Sequence, residues 1–516
     1  MKYALFIVAI LFTFNLKAQQ KNLPLNHELN YRIQRIMAVS DTLSHSSLRP
    51  YVESGAGMKE VNKVMIDSGL YYYALTQKLC KENLVEIKGD DYRLTLDPLG
   101  NFRWGKDLNQ DFRIMTRNTR ALRVQGDLGT NFSFESFFYE NLVKMPEYIV
   151  DYVNQTGTLP SEGRVKLYGG KLDYGYAMGY ISFSPGKNLN IQLGHGKHFI
   201  GNGYRSMLLS DYAANYPFLR TTYYFANGKL KYTAIFAQLS STSRLPESTT
   251  PEATFKEKFG NFHYLSFKPG PKLEIGFFEG GIFKQYVDTL GTVPMHFSAY
   301  SPLIGTSVAL NGFESSNNVV LGINLNYQLL KKVQLYGQVL VDNPAEKKFG
   351  YQLGLKSFDS FGLKELYLQA ELNSAYPYTY ATSSSEPLQN WSHMRAPLAH
   401  PYGASFTELV GIGYYEKNKI FGQIKVVSGI ITGLGEGYQY NIDYPDEVIA
   451  GDPDEKRTIY NNVQELTIGY RLNVKTNLTG FVSARNRVHA DINSVSNSTF
   501  IYLGIRTNLN NLYYDF

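Results

Sequence analysis

Cysteine and long apolar stretches are nearly absent from this 516-residue sequence. Cys80 is the only cysteine, so no disulfide can form within the chain. Beyond the amino-terminal residues there is no apolar run of 18 residues, which excludes a later membrane-spanning helix. The net charge of +6 is spread along the chain, and without a basic run the sequence gives no indication of nucleic-acid binding. Stability must therefore come from packing and from closure of a β-sheet.

The amino-terminal residues have the features of a secretory signal peptide. Lys2 precedes an apolar stretch from Ala4 to Leu16, and the small residue Ala18 stands before two glutamines. This stretch is too short to span a membrane as a helix. We therefore predict cleavage near Ala18. Because the residue directly after that site is Gln19 and not a cysteine, the mature protein is not expected to be a lipoprotein.

Aromatic residues and glycine are abundant, with 41 tyrosines, 31 phenylalanines and 45 glycines. Much of the chain also alternates between apolar and polar residues. From Leu321 to Leu329 every second residue is apolar, and the residues between them are small or polar. The runs 333–341 and 365–373 repeat this pattern. Side chains two apart lie on one face of a strand, so each run predicts a strand with one apolar and one polar face.

Short and long connections between the predicted strands alternate along the chain. Long ones are expected at residues 141–171, 196–217, 242–258, 280–317, 374–405, 428–458 and 487–498. A soluble sandwich would show the same strand pattern. Short connections at one rim and long connections at the other are, however, typical of outer-membrane barrels. We therefore predict an all-β, transmembrane outer-membrane β-barrel of about 18 antiparallel strands, with both of its ends in the periplasm.

The predicted organisation has three parts: a signal peptide over residues 1–18, a periplasmic helical segment over 19–100 and the barrel over 101–516. Apolar residues at helical spacing predict helices near residues 25–37 and 70–87. These helices either contact the inner rim of the barrel or a partner, or plug the lumen. The last strand is expected to end at Phe516, a terminal aromatic residue of the kind that barrel-assembly machinery reads.

No catalytic or metal-binding motif stands out. His195 and His198 are close in sequence, but no cysteine or suitably spaced carboxylate accompanies them. Ser206, His198 and Asp211 lie in one predicted loop, without the pattern that surrounds a catalytic serine. We predict no enzymatic activity, no cofactor and no metal.

The long loops at residues 196–217 and 374–405 combine aromatic rings, such as Tyr376 and Tyr378, with Arg, His and Asn. Aromatic faces pack against sugar C–H groups while polar side chains bind hydroxyls, so one interpretation is a glycan site. The other is that the rings pack the loops together as a lid over the barrel mouth. The candidate glycan-binding or lid residues are His198, Tyr204, Arg205, Trp391, His393, His400 and Tyr402.

Three stretches carry a resemblance to a known family: residues 82–107 (ENLVEIKGDDYRLTLDPLGNFRWGKD), 179–220 and 397–415. The chain resembles the Bacteroidota outer-membrane protein family that includes the gliding-motility protein RemB, and more distantly the Wzi-like capsule-assembly barrels. The resemblance implies either attachment or assembly of capsule or exopolysaccharide at the cell surface, or a part in gliding motility and adhesion. It supplies no catalytic residues.

Together these patterns predict a non-enzymatic protein of the Gram-negative outer membrane. Polysaccharide attachment or assembly at the surface is the leading interpretation; gliding motility or adhesion, and a diffusion channel, are the alternatives. In a channel, inward polar residues such as Glu371 and Lys425 would line water. The expected partners are outer-membrane lipid, the barrel-assembly machinery and, as a candidate, surface polysaccharide. No nucleic-acid partner is expected.

Overall fold

The computed structural model describes residues 20–39, 43–55, 58–67, 69, 71–109, 114–245, 255–287, 290–313, 317–382, 387–432 and 458–516. The predicted signal peptide lies outside these residues, and so does most of the predicted loop 428–458.

Within the described residues, eighteen strands form a closed barrel. They are β1 Tyr92–Asp107, β2 Ile114–Leu128, β3 Phe132–Lys144, β4 Lys171–Phe183, β5 Leu189–Gly196, β6 Tyr216–Phe225, β7 Leu230–Arg244, β8 Phe255–Gly270, β9 Leu273–Lys284, β10 Asn318–Leu330, β11 Val333–Asn343, β12 Lys348–Phe358, β13 Leu366–Ala375, β14 Phe406–Lys417, β15 Ile420–Thr432, β16 Thr458–Asn473, β17 Leu478–Ala490 and β18 Val495–Thr507.

Each barrel strand pairs antiparallel with the strands before and after it, and β18 closes the barrel on β1. Across this seam Phe500 pairs with Asp107, and Arg506 pairs with Asn101. Closure satisfies the main-chain hydrogen-bonding groups of both edge strands, which is what allows a sheet to face lipid. The predicted all-β barrel with antiparallel strands is confirmed.

Apolar side chains cover the outward face of the barrel. Trp104, Ile323, Leu353 and Leu503 lie on four different strands, and each is 48 to 56 % exposed. Inward side chains of the barrel strands are mostly polar and buried; Gln352 on β12 and Glu371 on β13 are examples. The period of two that the sequence shows is therefore the alternation between lipid and lumen.

The two rims of the barrel differ in the length of their connections. Short turns at one rim comprise residues 129–131, 184–188, 226–229, 271–272, 331–332, 359–365, 418–419 and 474–477. The other rim carries long connections, among them residues 145–170, 197–215, 285–317 and 376–405. Following the arrangement of outer-membrane barrels, we call these the periplasmic rim and the outer rim.

Residues 487–498 do not form the long loop that was predicted, because the flanking strands extend into them. The turn that remains is closed by Asp491. Its Oδ1 accepts hydrogen bonds from the main-chain N–H groups of Asn493 (2.8 Å) and Ser494 (2.6 Å). An aspartate that binds nearby amides in this way stabilises a tight turn.

The remaining elements are short. The α-helices are α1 His27–Val39, α2 Met58–Val61, α3 Ala74–Cys80, α4 Glu147–Thr156 and α5 Thr306–Asn311. The 3-10 helices are Asn62–Met65, Ala226–Gly228, Phe297–Tyr300, Ser360–Gly362 and Pro387–Gln389. Short strands lie at Leu48–Arg49, Val85–Lys88, Thr158–Leu159, Gly163–Arg164, Lys166–Tyr168, Phe199–Ile200, Tyr286–Val287, Gly291–Thr292, Ser392–His393 and Ala396–Pro397. In the described part of the chain, no helix is both long and apolar enough to cross a membrane.

The segment before the barrel is less helical than the sequence pattern indicates. α1 falls where the first helix was predicted, but α3 covers only part of the second. Val85–Lys88 forms a strand instead, because it pairs antiparallel with the start of β1. The first barrel strand begins at Tyr92, ahead of the predicted boundary at residue 101.

The last strand ends at Thr507 and not at Phe516 as predicted. Residues 508–516 leave the wall and fold into the lumen, where Leu509 and Tyr513 are buried. At the periplasmic rim this turn inward is held by the Asn477 side chain, whose Nδ2 donates to the Asn508 carbonyl at 2.5 Å. Apolar side chains gain burial in the lumen that a strand ending at the rim would not give them.

Candidate functional site

The loop between β5 and β6, residues 197–215, is folded into the barrel, and we call it the inner loop. Every residue from His198 to Ala214 is buried. A short strand within it, Phe199–Ile200, pairs with Leu48–Arg49 of the amino-terminal segment. The inner loop is therefore held from inside the lumen as well as by the wall.

Arg205 links the inner loop to the wall and to the last residues of the chain. Its Nη2 lies 3.0 Å from Glu408 Oε1 on β14, and its Nη1 lies 3.2 Å from Asp515 Oδ1. Lys425 on β15 also binds Asp515, with 2.9 Å between Nζ and Oδ2. Because a buried charge is costly without its partner, these four groups form one mutually dependent network.

Main-chain groups and a tyrosine complete this network. Glu371 on β13 accepts hydrogen bonds from the N–H groups of Tyr204 (2.7 Å) and Arg205 (3.0 Å). The Tyr204 hydroxyl donates to Asp515 at 2.6 Å. Burial by itself raises the pKa of Asp515, but the positive charges of Arg205 and Lys425 outweigh it and hold that pKa well below its ordinary value. Asp515 therefore remains an anion inside the barrel.

His400 and Tyr402 reach the same network from the loop 376–405. His400 Nε2 lies 2.7 Å from Glu408 Oε2. Burial lowers the pKa of His400 and the Glu408 charge raises it, with a net shift downwards. The Tyr402 hydroxyl accepts a hydrogen bond from Asn461 Nδ2 at 2.7 Å. This loop is thus fastened to the wall beside the inner loop.

Trp391 and His393 fasten the loop 376–405 to a different part of the inner loop. Trp391 Nε1 donates to the Leu208 carbonyl at 3.1 Å. His393 Nδ1 accepts from the Ser240 N–H at 3.0 Å, and its Nε2 donates to the Asn215 carbonyl at 3.1 Å. The two loops therefore stabilise each other.

His198 stands apart from both groups. Its Nδ1 lies 3.2 Å from the Tyr216 hydroxyl oxygen, and its Nε2 has no hydrogen-bond partner among the described residues. Burial lowers the pKa of His198 well below its ordinary value, with the Arg220 charge acting in the same direction. A neutral imidazole at this position fits the surrounding aromatic rings, since its centroid lies 4.5 Å from that of Phe218.

All seven candidate residues are at most 4 % exposed. The structure brings four of them together around Glu408 and places three elsewhere. The four are Tyr204, Arg205, His400 and Tyr402; the three are His198, Trp391 and His393. In this conformation none presents a ring face to the outside, and glycan binding by them stays a prediction.

Other aromatic rings at the outer rim are accessible. Tyr376 is 50 % exposed and Tyr378 is 42 % exposed, both at the start of the loop 376–405. Tyr168, which sequence reasoning did not select, is 75 % exposed on the loop between β3 and β4. These rings have the accessibility that stacking on a sugar requires.

Sequence reasoning also missed two acidic partners, Glu408 and Asp515. Glu408 carried a signal, because it is a carboxylate among the apolar residues Phe406, Val410 and Ile412 on one face of its strand. A buried charge of this kind needs a cation, and Arg205 supplies it. Asp515 carried no comparable signal, since the fold of its segment was not foreseen.

The amino-terminal segment lies in the periplasmic side of the lumen and is bonded to the wall there. The hydroxyls of Ser46 and Ser47 donate to the Glu274 carboxylate on β9, at 2.7 and 2.5 Å. Arg35 Nε lies 2.6 Å from Asp359 Oδ1, beside β13. Partial burial raises the pKa of Asp359, but the hydrogen bond from Arg35 lowers it to about 2.

Residues 508–516 fill the side of the lumen next to β2 and β17. The Tyr514 hydroxyl accepts from Arg117 Nη1 at 2.7 Å and donates to Glu162 Oε2 at 2.5 Å. The Tyr514 carbonyl accepts from Arg485 Nη1 at 3.3 Å. Together, residues 20–39, 43–53, 197–215 and 508–516 form a body that we call the plug. It contacts the wall around the barrel.

The described ranges hold no group of three or more His, Cys, Asp or Glu side chains placed to bind a metal ion. Ser206, His198 and Asp211 also do not assemble: Ser206 Oγ donates to the Ile200 carbonyl at 2.5 Å, and Asp211 accepts from Tyr513. In the described residues, the chemistry of the lumen is that of ion pairs and hydrogen bonds.

Comparison with known proteins finds similarity in fold and not in sequence. No family model matches the chain, and no curated protein matches it significantly. Among solved structures, the chain is similar to Wzi of Escherichia coli, described as an outer-membrane protein involved in group 1 capsule assembly and a carbohydrate-binding β-barrel. The TM-score is 0.58 at 11 % identity, over 95 % of this chain and 100 % of Wzi.

Weaker similarity extends to two further barrels. OpdO of Pseudomonas aeruginosa gives a TM-score of 0.42 at 9 % identity, over 80 % of this chain and 96 % of its own. OccAB2 of Acinetobacter baumannii gives 0.43 at 11 % identity, over 81 % and 98 %. At these identities the comparisons establish the fold alone. The chain is a transmembrane outer-membrane β-barrel with the architecture of Wzi.

Proposed function

We propose that the protein is a non-enzymatic, non-conducting barrel of the Gram-negative outer membrane that holds polysaccharide at the cell surface. The observation that carries this proposal is the plug. The protein's own chain occupies the lumen from the periplasmic rim to the outer rim, so the barrel serves as a scaffold for its outer loops.

Buried ion pairs hold the plug in the lumen. The Arg205 network joins the inner loop to β14 and β15 through buried ion pairs, and removing one partner of such a pair is strongly unfavourable. Glu371 and Lys425, which would line water in a channel, are instead bonded to the plug. This argues against the diffusion-channel alternative.

The fold of the full-length relative favours carbohydrate as the ligand class, because Wzi is described as a carbohydrate-binding barrel. In this chain, we assign the contact to the accessible rings Tyr168, Tyr376 and Tyr378, and give the seven buried candidates the role of holding the loops in shape. An aromatic pair contributes about 0.5–1.5 kcal/mol, and if a sugar on a ring contributes a similar amount, several rings are needed for useful affinity.

The proposal is tested by binding of the purified barrel to surface polysaccharide extracted from its own organism. A Tyr376→Ala/Tyr378→Ala variant should bind about tenfold more weakly, since two stacking contacts are lost. The matched control is Tyr72→Ala/Tyr73→Ala, which removes two rings that are 88 and 75 % exposed before the barrel. Equal affinity in all three proteins, or no binding by the wild type, would overturn the proposal.

The two alternatives have their own readouts. A diffusion channel requires steady conductance of the wild-type barrel in a planar bilayer, whereas the plugged barrel should give none. The resemblance to the RemB-containing family keeps gliding motility or adhesion as an alternative. That role predicts a spreading defect on deletion of the gene while surface polysaccharide remains normal.

A further inference from the structure

Three buried polar side chains lie on the outward face of the barrel wall. Asn261 and His263 are on β8, and Glu279 is on β9 opposite His263. Phe277 shares the face of Glu279 and is 45 % exposed, which identifies this face as the outer one. Asn261, His263 and Glu279 are nevertheless at most 1 % exposed. Something other than the barrel wall must cover them.

The cover is part of the loop between β9 and β10, residues 296–311, which we call the lip. The lip bends down over the outside of the wall. Asn261 Nδ2 donates to the carbonyls of Ser298 (3.4 Å) and Ser301 (3.2 Å). The Tyr232 hydroxyl on β7 donates to the Pro302 carbonyl at 2.6 Å. The wall thus satisfies carbonyl groups of the irregular part of the lip.

Glu279 satisfies the opposite kind of group. Its two carboxylate oxygens accept hydrogen bonds from the N–H groups of Gly305 (2.6 Å) and Val308 (2.8 Å), at the start of α5. The first N–H groups of a helix have no partner within the helix, and a carboxylate there is favourable. Asn261 Nδ2, the Tyr232 hydroxyl and the Glu279 carboxylate of the wall therefore pair with main-chain groups of the lip.

Apart from His296 at its start, the outward surface of the lip is mainly apolar. Its large exposed side chains are Phe297 (66 %), Tyr300 (57 %), Leu303 (66 %) and Leu310 (51 %). The lip covers a polar stretch of the wall and presents an apolar surface in its place. A water-facing loop has no need of an apolar outward surface. At membrane depth, non-helical backbone is tolerated where protein buries it, and here the wall covers the inward side of the lip and the lip's own apolar side chains cover its outward side.

The position of Glu279 along the barrel axis agrees with a lip that faces hydrocarbon. Glu279 is six residues beyond Leu273, where β9 leaves the periplasmic rim. That is about 20 Å along the strand, and about 15 Å along the barrel axis at the usual tilt of about 40°. An outer-membrane barrel has an apolar band about 25 Å tall. Glu279 therefore lies within the band, in its outer half.

We propose that the lip is a membrane-embedded element that contacts the acyl chains of the outer leaflet. Lipid is the occupant because the lip lies against the lipid-facing wall. Phe277, on the same face as Glu279, pairs with Ile323, which is 48 % exposed on the neighbouring strand, and the exposed side chains of the lip are apolar like these two. The lip covers one sector of the barrel wall, and in that sector lipid contacts the lip instead of the wall.

Quenching of tryptophan fluorescence by lipids brominated along their acyl chains tests this. The protein contains Trp104, which faces lipid, and Trp391, which is fully buried. With Trp104→Phe as background, Leu303→Trp places the reporter on the lip. Ile323→Trp is the positive control on the wall, and Phe361→Trp, at a position 90 % exposed in the turn before β13, is the control outside the membrane.

The expected result is that brominated lipid quenches Leu303→Trp at least half as strongly as Ile323→Trp and clearly more than Phe361→Trp. Quenching by acrylamide in water, without quenching by lipid, would place the lip in solvent and overturn the proposal. Protection from both quenchers would mean that a second copy or another protein covers the lip, and would overturn it equally. A second reporter, Phe297→Trp, guards against a local effect of one substitution.

Discussion

Two long loops at the same rim fold in opposite directions. The inner loop enters the lumen, whereas the lip lies on the outside of the wall. Both bury polar side chains of the wall, and they do so with different chemistry. The inner loop brings its own charge, Arg205, to the carboxylates Glu408 and Asp515. The lip brings no charge to Glu279, only main-chain N–H groups.

The difference follows from what each loop faces. Inside the barrel every neighbour is protein, so ion pairs can be complete and can lock the plug to the wall. On the outside one neighbour is hydrocarbon, in which a charged lip would be costly; there the wall supplies polar groups and the lip supplies apolar ones. The ion pairs of the inner loop should therefore matter more to stability than the hydrogen bonds of the lip.

Arg205→Ala is the most damaging single change that we expect. It removes the guanidinium from two buried carboxylates, so that Glu408 keeps only His400 and Asn373 and Asp515 keeps only Lys425 and Tyr204 among the described side chains. Removing one partner from a buried ion pair typically costs about 3–5 kcal/mol. The free energy of unfolding, measured by urea titration in lipid vesicles, should fall by this amount.

The control for this change is Lys63→Ala, in an ion pair with Glu60 whose side chains are 61 and 46 % exposed. Exposed pairs contribute about 0–1 kcal/mol, so this variant should resemble the wild type. Similar losses for Arg205→Ala and Lys63→Ala would show that the buried network does not hold the plug.

The barrel could be predicted from the sequence because each strand faces lipid on one side and the lumen on the other. Apolar and polar residues therefore alternate along every strand. The run from Leu321 to Leu329 predicts β10, and the short turns predict the periplasmic rim. The direction of a loop has no such period. Tyr204 and Trp391 suit an exposed glycan site and a buried core equally well, so their burial was not predictable from composition.

The lip and the last residues illustrate the same limit. Asn261, His263 and Glu279 break the apolar pattern of their outward face, and that break was the available signal for a covering loop. Asp515 lies in a segment whose alternating sequence suggests a strand, yet its partners are distant in the chain. Pairings of this kind depend on the closed barrel and cannot be read locally.

Glu279→Ala tests the other loop, and its expected effect is smaller. The substitution leaves the N–H groups of Gly305 and Val308 without acceptors on the wall, at a cost of about 1–3 kcal/mol. The lip should detach and be cleaved faster in limited proteolysis of vesicle-bound protein. Glu346→Ala, at an outer-rim side chain that is 57 % exposed, is the control and should not change cleavage. Unchanged cleavage of the lip in Glu279→Ala would contradict its attachment by this carboxylate.

The pH dependence of stability tests the attachment of the inner loop by His393, which belongs to the loop 376–405 and contacts Asn215. Burial lowers the pKa of His393 to about 3, with Lys258, His195 and Lys197 lowering it and the hydrogen bond to Asn215 opposing them. Protonation of Nδ1 would also remove the acceptor that the Ser240 N–H uses. Because the folded pKa lies below the unfolded value of about 6.5, the stabilisation is complete above pH of about 6.5.

As pH falls from about 6.5 towards 3, His393 should remove up to about 1.4 kcal/mol of stability per pH unit. In His393→Gln, which cannot titrate, the free energy of unfolding should fall less steeply over this range, although it starts lower because the bond from Ser240 is weakened. Urea titrations at several pH values compare the slopes. Carboxylates add their own slope to both proteins, so only the difference reports His393, and identical slopes would mean that this histidine does not link the plug to pH.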